Sequence, residues 1–249
     1  MKKTRLAFIS VLLLVPLTGY SLTGKEIIRR SEEAVRGNTL IASYEITIQT
    51  RRWERTMKMN SWEDRKTRRS FSEITAPKKD AGNRFLLIDK TMRHYVPSLQ
   101  QEIIISPSMM LQSWMGSDFT NDDIVKESSI LEDYNHILKG EETKDGHECY
   151  IIELQPKPGA PVVWGKIIYY ARKPDYLPVR QEYYGERNQL RRVMYCSEFK
   201  RVHNRVIPTF YKMETEGKKD RYTSIKILNA RFNLKIPESV FTIQNLRRR

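Results

Sequence analysis

The chain has 249 residues, of which 39% are hydrophobic, and a formal net charge of +14. A chain of this length fits one domain, and no stretch after residue 21 is apolar enough to span a membrane. The basic residues are spread along the sequence, so a solvated basic surface explains them as well as an anionic partner does.

The first 21 residues have the pattern of a secretory signal peptide. Three basic residues within positions 2–5 precede an apolar run over positions 6–17, and Gly19 and Ser21 are small enough for a cleavage site. Since no cysteine lies near this site, we expect no lipoprotein anchor. The sequence therefore predicts that residues 22–249 are exported as a single domain that is not lipid-anchored.

The charge that remains after cleavage suggests a class of partner. Removal of Lys2, Lys3 and Arg5 lowers the formal net charge from +14 to +11. Export argues against nucleic acid as the partner, and anionic lipid headgroups or an acidic protein fit better. The pairs Arg51–Arg52 and Arg68–Arg69 are candidates to line a rim, and residues 247–249 are expected to be a frayed tail.

Two cysteines, Cys149 and Cys196, both fall in strand-like runs. An oxidising compartment permits a disulfide, but nothing in the sequence brings their Cα atoms close enough for one. We expect two buried, unpaired thiols. No spacing of Cys and His predicts a metal site or a cofactor.

A helix followed by strands accounts for most of the chain. Thr23 and Glu26 form a capping-box pattern, Gly37 ends the run, and apolar residues recur between them at helical spacing. Strand-like segments then follow with short turns and no intervening helix. They cover residues 42–49, 53–60, 69–75, 85–88, 93–96, 103–105, 130–139, 149–154, 166–170, 179–184, 191–199, 206–214 and 222–232. Such a series predicts one large antiparallel sheet that curls into a partly open barrel around an apolar cavity.

Residues 106–126, here called the cover segment, interrupt the strands. Pro107 suits the start of a short helix that stops near Gly116, and Thr120 with Asp123 resembles the cap of a second one. Methionine side chains are flexible and polarisable, so a cluster of them suits ligands of imprecise shape. An apolar helix face that simply fills the core is an equally good explanation. The apolar members of the segment are Met109, Met110, Leu111, Trp114, Met115 and Phe119.

No pattern in the sequence predicts an enzyme. The acidic cluster Asp118, Asp122 and Asp123 lacks the spacing of a calcium loop and suits helix capping. The four histidines are scattered, and the motifs of serine hydrolases, zinc proteases and phosphate loops are missing.

Four stretches resemble a known family. They are RWERT at residues 52–56, SPSMMLQSWMGSDFTNDD at 106–123, PVVWGK at 161–166 and RQEYY at 180–184. The long Met/Trp/Asp stretch is the specific one, and together they resemble the LolA-like, outer-membrane lipoprotein-sorting proteins. The best-studied lipoprotein carrier lacks the long stretch, so the chain resembles a paralogous branch.

The resemblance implies a mainly β, half-open antiparallel barrel of the LolA/LolB type, with short helices covering its concave face. It implies a monomeric periplasmic carrier that takes the acyl chains of a lipid or acylated lipoprotein between the inner and outer membranes. Membrane contact would be peripheral and transient, and an inner-membrane RND-type exporter is an implied partner. The expected lining and lid residues are Trp53, Met57, Met59, Phe85, Tyr95, Met109, Met110, Trp114, Met115 and Phe119. Residues expected at the mouth, as headgroup ligands or lid latches, are Arg52, Arg55, Arg69, Asp118 and Asp122.

Two other functions remain open at this stage. In the first, the protein is a non-catalytic accessory subunit of an RND-type exporter, and its core is filled by its own side chains. In the second, it is a hydrolase that modifies lipids, which would require turnover that depends on a single Asp or His.

Overall fold

The structure is a computed structural model that describes residues 22–88, 91–121, 123, 129–160 and 162–248. The predicted signal peptide lies outside these residues. Within them, no helix is long and apolar enough to cross a membrane.

Thirteen strands form a single antiparallel sheet. They are β1 (Thr39–Gln49), β2 (Glu54–Asp64), β3 (Arg69–Ala76), β4 (Arg84–Ile88), β5 (Thr91–Val96), β6 (Gln101–Ile105), β7 (Tyr134–Lys144), β8 (His147–Pro156), β9 (Lys166–Arg172), β10 (Pro178–Tyr184), β11 (Leu190–Val202), β12 (Arg205–Thr215) and β13 (Tyr222–Phe232). The order across the sheet is β6-β5-β4-β3-β2-β1-β13-β12-β11-β10-β9-β8-β7. The edge strands β6 and β7 do not pair in the described part of the chain, so the sheet stays open. The predicted fold class, a half-open antiparallel barrel, is confirmed.

Alternation along the strands separates an inner, concave face from an outer face. In β1, Ile46 and Ile48 are buried with Met57 on the inner face, whereas Ile41 packs with Phe71 on the outer face. Side chains two residues apart share a face, so even and odd positions of this strand lie in different cores.

Helix α1 (Gly24–Arg36) covers the inner face near β7, β8, β9 and β12, as its amphipathic pattern predicted. Thr23 Oγ1 accepts a hydrogen bond from the Glu26 amide, and Gly37 closes the helix with a φ of 66°. Ile27 and Ile28 are fully buried against the sheet. The helix therefore fills this part of the concavity.

The C-terminus packs on the outer face through a 3₁₀ turn (Glu238–Phe241) and helix α2 (Ile243–Arg247). Arg247 lies 2.6 Å from the Glu102 carboxylate, and Arg248 pairs with Glu73. The prediction of a frayed tail is therefore wrong for these two arginines, because charged partners on β3 and β6 hold them. Arg249 lies outside the described residues.

Both cysteines are buried and unpaired, as expected. Cys149 packs with Tyr170, whereas Cys196 lies near Tyr169, which faces the other side of the sheet. Burial raises the pKa of Cys149 to about 11 and raises that of Cys196 further. Thiols with raised pKa values are poor nucleophiles and poor metal ligands.

The turns that join neighbouring strands lie at two opposite ends of the sheet. The register places the turns at residues 50–53, 77–83, 97–100, 185–189 and 216–221 at one end, here called the upper end. The turns at residues 65–68, 145–146, 173–177 and 203–204 lie at the opposite, lower end. Arg51 and Arg52 are thus at the upper end and Arg68 is at the lower end, so the two arginine pairs do not share a rim.

Candidate functional site

The cover segment crosses the open side of the barrel. It leaves β6 at one edge of the sheet and leads to β7 at the other edge. The first predicted helix is wrong, because the segment forms separate 3₁₀ turns at Pro107–Met109 and Trp114–Gly116. Met115, at a φ of 53°, and Gly116, at 78°, adopt left-handed conformations that stop a helix.

The predicted cap of the second helix is present. The Thr120 amide donates to Asp123 Oδ2 at 2.7 Å, and the Asp123 amide donates back to Thr120 Oγ1 at 3.2 Å. The rest of that predicted helix, residues 124–126, lies outside the described residues.

An apolar cluster fills the space between the cover segment and the inner face of β1–β6. Trp114 is 3% exposed, and its ring centroid lies 5.5 Å from that of Phe85. The Trp114 Nε1–H group has no hydrogen-bond partner among the described residues. The buried members of the cluster are Ile46, Ile48, Met57, Ile74, Phe85, Met92, Ile105 and Trp114, with Met59, Met109, Met110 and Met115 packed against them.

Seven of the ten predicted lining residues therefore come together in this cluster. Phe119 is also buried but lies beside the polar contacts of Ser117. Trp53 is 48% exposed at the tip of the β1–β2 hairpin, and Tyr95 packs with the outer-face cluster around Phe71. Tyr95 is directly opposite Arg84 in the β4–β5 ladder, one position away from the inward-facing pair of Phe85 and His94, so its ring points to the other face.

Asp118 attaches the middle of the cover segment to β12 and β13, two central strands of the sheet. Its carboxylate, 1% exposed, accepts hydrogen bonds from Thr223 Oγ1 at 2.8 Å, Thr215 Oγ1 at 3.1 Å and Arg221 Nε at 3.0 Å. Its amide donates to Thr223 Oγ1 at 2.8 Å. Buried carboxylates need such partners, so this contact holds the segment in one position.

Arg192 of β11 supplies a second attachment, which the sequence reading missed. Its guanidinium holds Asp123 through two 2.8 Å hydrogen bonds, and it donates to the Asp118 carbonyl at 2.9 Å. It also stacks over Trp164, 4.3 Å from the ring centroid. Burial alone would lower the pKa of Arg192, but the hydrogen bonds to Asp123 raise it, so the pair is ionic. The signal available in the sequence was the alternation of Arg192 with Met194 and Cys196, which places Arg192 on one face of its strand together with them.

The predicted mouth residues have different surroundings. Arg55 donates to the Met115 carbonyl, and its Nη1 lies 3.8 Å from Asp80. Arg52 is exposed at the upper end. Arg69 is on the outer face, where it pairs with Glu238 and stacks on Phe241. Asp122 lies outside the described residues.

The surface of the protein has two grooves, one beside the cover segment and one on the outer face. One, of about 400 Å³, lies between the cover segment and the β10–β11 turn, and the other, of about 510 Å³, lies on the outer face beside α2. The first is lined by Leu111, Thr120, Val163, Trp164, Gly185, Glu186, Arg187, Gln189 and Arg191. The apolar cluster itself is closed in this structure, since Met57 is fully buried and Trp114 nearly so.

A histidine at the edge of the cluster predicts a pH dependence. His94 stacks on Phe85 at 4.2 Å and donates from Nε2 to Asn83 Oδ1, and burial lowers its pKa to about 4. Between the ordinary histidine pKa of about 6.5 and about 4, the unfolded chain binds more protons than the folded one. We therefore expect stability to fall as the pH drops through this window. Denaturant unfolding at several pH values should show that the stability of His94→Gln falls less steeply with decreasing pH than that of wild type. His203→Gln, at the exposed lower end, is the control and should follow wild type.

The comparisons with known proteins place the chain in a family. A family model described as "Uncharacterized protein" matches residues 66–248, which is most of the chain. The structure superimposes on a DUF1329 family protein from Desulfovibrio piger with a TM-score of 0.82, at 22% identity, covering 90% of this chain and 97% of the other. It matches an outer membrane lipoprotein-sorting protein domain from Vibrio parahaemolyticus with a TM-score of 0.79, at 20% identity, covering 90% and 98%. A LolA superfamily protein from Nitrosomonas europaea gives 0.76 at 19% identity, covering 90% and 100%.

The chain belongs to the family that this model describes. The expected resemblance is thus confirmed for the fold, which the chain shares with the lipoprotein-sorting protein domain and the LolA superfamily protein. No curated protein matches the sequence. In this chain the helical cover over the concave face is α1 together with the 3₁₀ turns of the cover segment.

Proposed function

We propose that the protein is a periplasmic carrier that binds the acyl chains of a lipid or lipoprotein beneath the cover segment and transfers them between the inner and outer membranes. The observation that carries the proposal is the contrast between the two sides of this segment. Its underside is apolar and rich in methionine, whereas its attachments to the sheet are polar contacts centred on Asp118 and Arg192. Flexible apolar contacts and separable polar contacts suit a site that must open and close again.

Transfer of an acyl chain through water requires such a site. Each methylene group gains about 0.8 kcal/mol on leaving water, so a chain of about sixteen carbons faces a cost of roughly 12 kcal/mol without an escort. Opening the cover segment would exchange contacts among Met109, Met110, Met115 and Trp114 for contacts with the acyl chain. An ester or amide carbonyl of the cargo would also give Trp114 Nε1–H the acceptor that it lacks among the described residues.

We propose no catalytic role for the polar groups of this site. Asp118 is occupied by three hydrogen-bond donors and His94 donates to Asn83. These contacts suit positioning, and a protein of similar fold is named for lipoprotein sorting rather than for a reaction.

Native mass spectrometry tests the proposal. We expect protein isolated from the periplasm, or incubated with membranes, to carry a lipid mass. Met110→Glu puts a charge against the apolar cluster and should abolish most of the bound mass. Leu111→Glu is the matched control, because the neighbouring side chain is 60% exposed and should tolerate the charge.

The closed cluster favours one other function. If wild-type protein stays free of lipid after incubation with membranes, the apolar side chains are a permanent core. The protein is then better explained as an accessory subunit of an inner-membrane RND-type exporter, and co-purification of the lipid-free protein with the exporter would support that function.

A further inference from the structure

Three neighbouring turns at the upper end form one surface, here called the rim patch. They are the turns at residues 50–53, 77–83 and 97–100, which join strands that are adjacent in the sheet. Gly82 lies close to the Pro97 ring, with an added Cβ only 3.4 Å from it, so the last two turns touch. The strand order therefore places these turns side by side.

The rim patch combines exposed cations with exposed apolar side chains. Arg51, Arg52, Lys78 and Lys79 are all exposed, and their side chains make no hydrogen bond or ion pair among the described residues. The acidic residue Asp80 in these turns is half-buried and faces Arg55. By contrast, the next turn, at residues 216–221, mixes its lysines with Glu216 and Asp220. The excess of positive charge is thus concentrated in the first two turns.

Two large apolar side chains project from the same surface. Trp53 is 48% exposed directly after Arg51 and Arg52, and Leu99 is 59% exposed at the tip of the next hairpin but one. Tryptophan is favoured at the boundary between lipid headgroups and acyl chains, and arginine beside it binds phosphate.

We infer that the rim patch docks the protein on a bilayer surface that contains anionic lipids. The charge complementarity selects this partner, and Trp53 and Leu99 supply the part that enters the headgroup region. The inference rests on the proposed function only in the purpose that it gives to docking, which is to bring the carrier to a membrane.

The position of the patch also links docking to the cover segment. Arg55 on β2, close to Trp53, holds the Met115 carbonyl, and Arg221 at the same end holds Asp118 and the Gly116 carbonyl. A membrane seated on the rim patch brings lipid phosphates next to both arginines. Phosphates compete with carbonyl and carboxylate oxygens for arginine, so docking would loosen the cover segment where cargo has to leave.

Vesicle flotation tests docking without any cargo. Lipid-stripped protein is mixed with vesicles of phosphatidylcholine, with or without phosphatidylglycerol. We expect binding only to the anionic vesicles, weakening as salt is added. Each lost cation should weaken binding about fivefold, so Arg51→Ala combined with Arg52→Ala should weaken it about 25-fold. Trp53→Ala should weaken binding at every salt concentration, because its contribution is not screened.

The matched control is Lys66→Ala combined with Arg68→Ala, which removes two exposed cations from the lower end. This variant should bind like wild type. Equal losses in the two double variants, or equal binding to neutral vesicles, would overturn the inference. Protein that docks through the rim patch but never carries lipid would refute the proposed function and leave the docking surface standing.

Discussion

Replacement of Asp118 by alanine is expected to destabilise the closed cover segment by about 3 kcal/mol, because buried donors lose a charged acceptor. Thr215, Thr223 and Arg221 would all face the space that the carboxylate leaves. Hydrogen exchange should detect the change at the amides of Trp114 and Asn121, which bond within the segment. The same variant should exchange lipid with vesicles faster than wild type.

Asp175→Ala provides the comparison for this experiment. Asp175 is likewise paired with an arginine, Arg172, which donates two hydrogen bonds to it, but the Asp175 side chain is 36% exposed at the lower end. Its removal should cost less than about 1 kcal/mol and leave exchange in the cover segment unchanged. If the Asp118 variant showed equally small effects, the carboxylate would not be what holds the segment closed.

Trp114→Ala is expected to remove about 3–5 kcal/mol of packing between the cover segment and the sheet. The regions in which amide protection is lost distinguish a movable cover from a permanent part of the core. For a movable cover, amide protection should collapse over residues 109–121 while the ladder between β8 and β9 keeps its protection. Trp53→Ala, at the exposed hairpin tip, should change neither region by more than about 0.5 kcal/mol.

An even loss of amide protection would support a permanently filled core. If Trp114→Ala lowered protection evenly across the sheet, the segment and the sheet would unfold as one unit. The exporter-accessory function would then be the better account of the apolar cluster.

The sequence predicted the sheet well because its signal is repeated. Alternation in segments such as residues 42–49, and turns between them, point to the same architecture many times over, so an error of one or two residues at a strand end changes little. The cap of α1 at Thr23 and its end at Gly37 were equally readable, since both depend on local backbone chemistry.

The site was harder to predict because it depends on which face each side chain occupies. A shift of one position moves Tyr95 from the inner cluster to the outer one. Arg69 was expected at the mouth, but its pairing with Glu238 brings together positions 169 residues apart, a contact that no local pattern reveals. The same holds for Arg192 and Asp123, which meet only because β11 lies beneath the cover segment.

The strand order also governs how the chain can fold. β1–β6 and β7–β13 are two series of strands in which each one pairs with its neighbour in sequence, so both can form early from short-range hairpins. The seam between them is β1 against β13, where Leu40 meets Phe232 almost at the two ends of the described chain. The seam cannot form before β13, the last strand in sequence, has been synthesised, and closing the loop between its two strands has an added entropic cost. Until then one side of β1 is an unpaired edge, and a chain truncated before Tyr222 would keep that edge open to self-association.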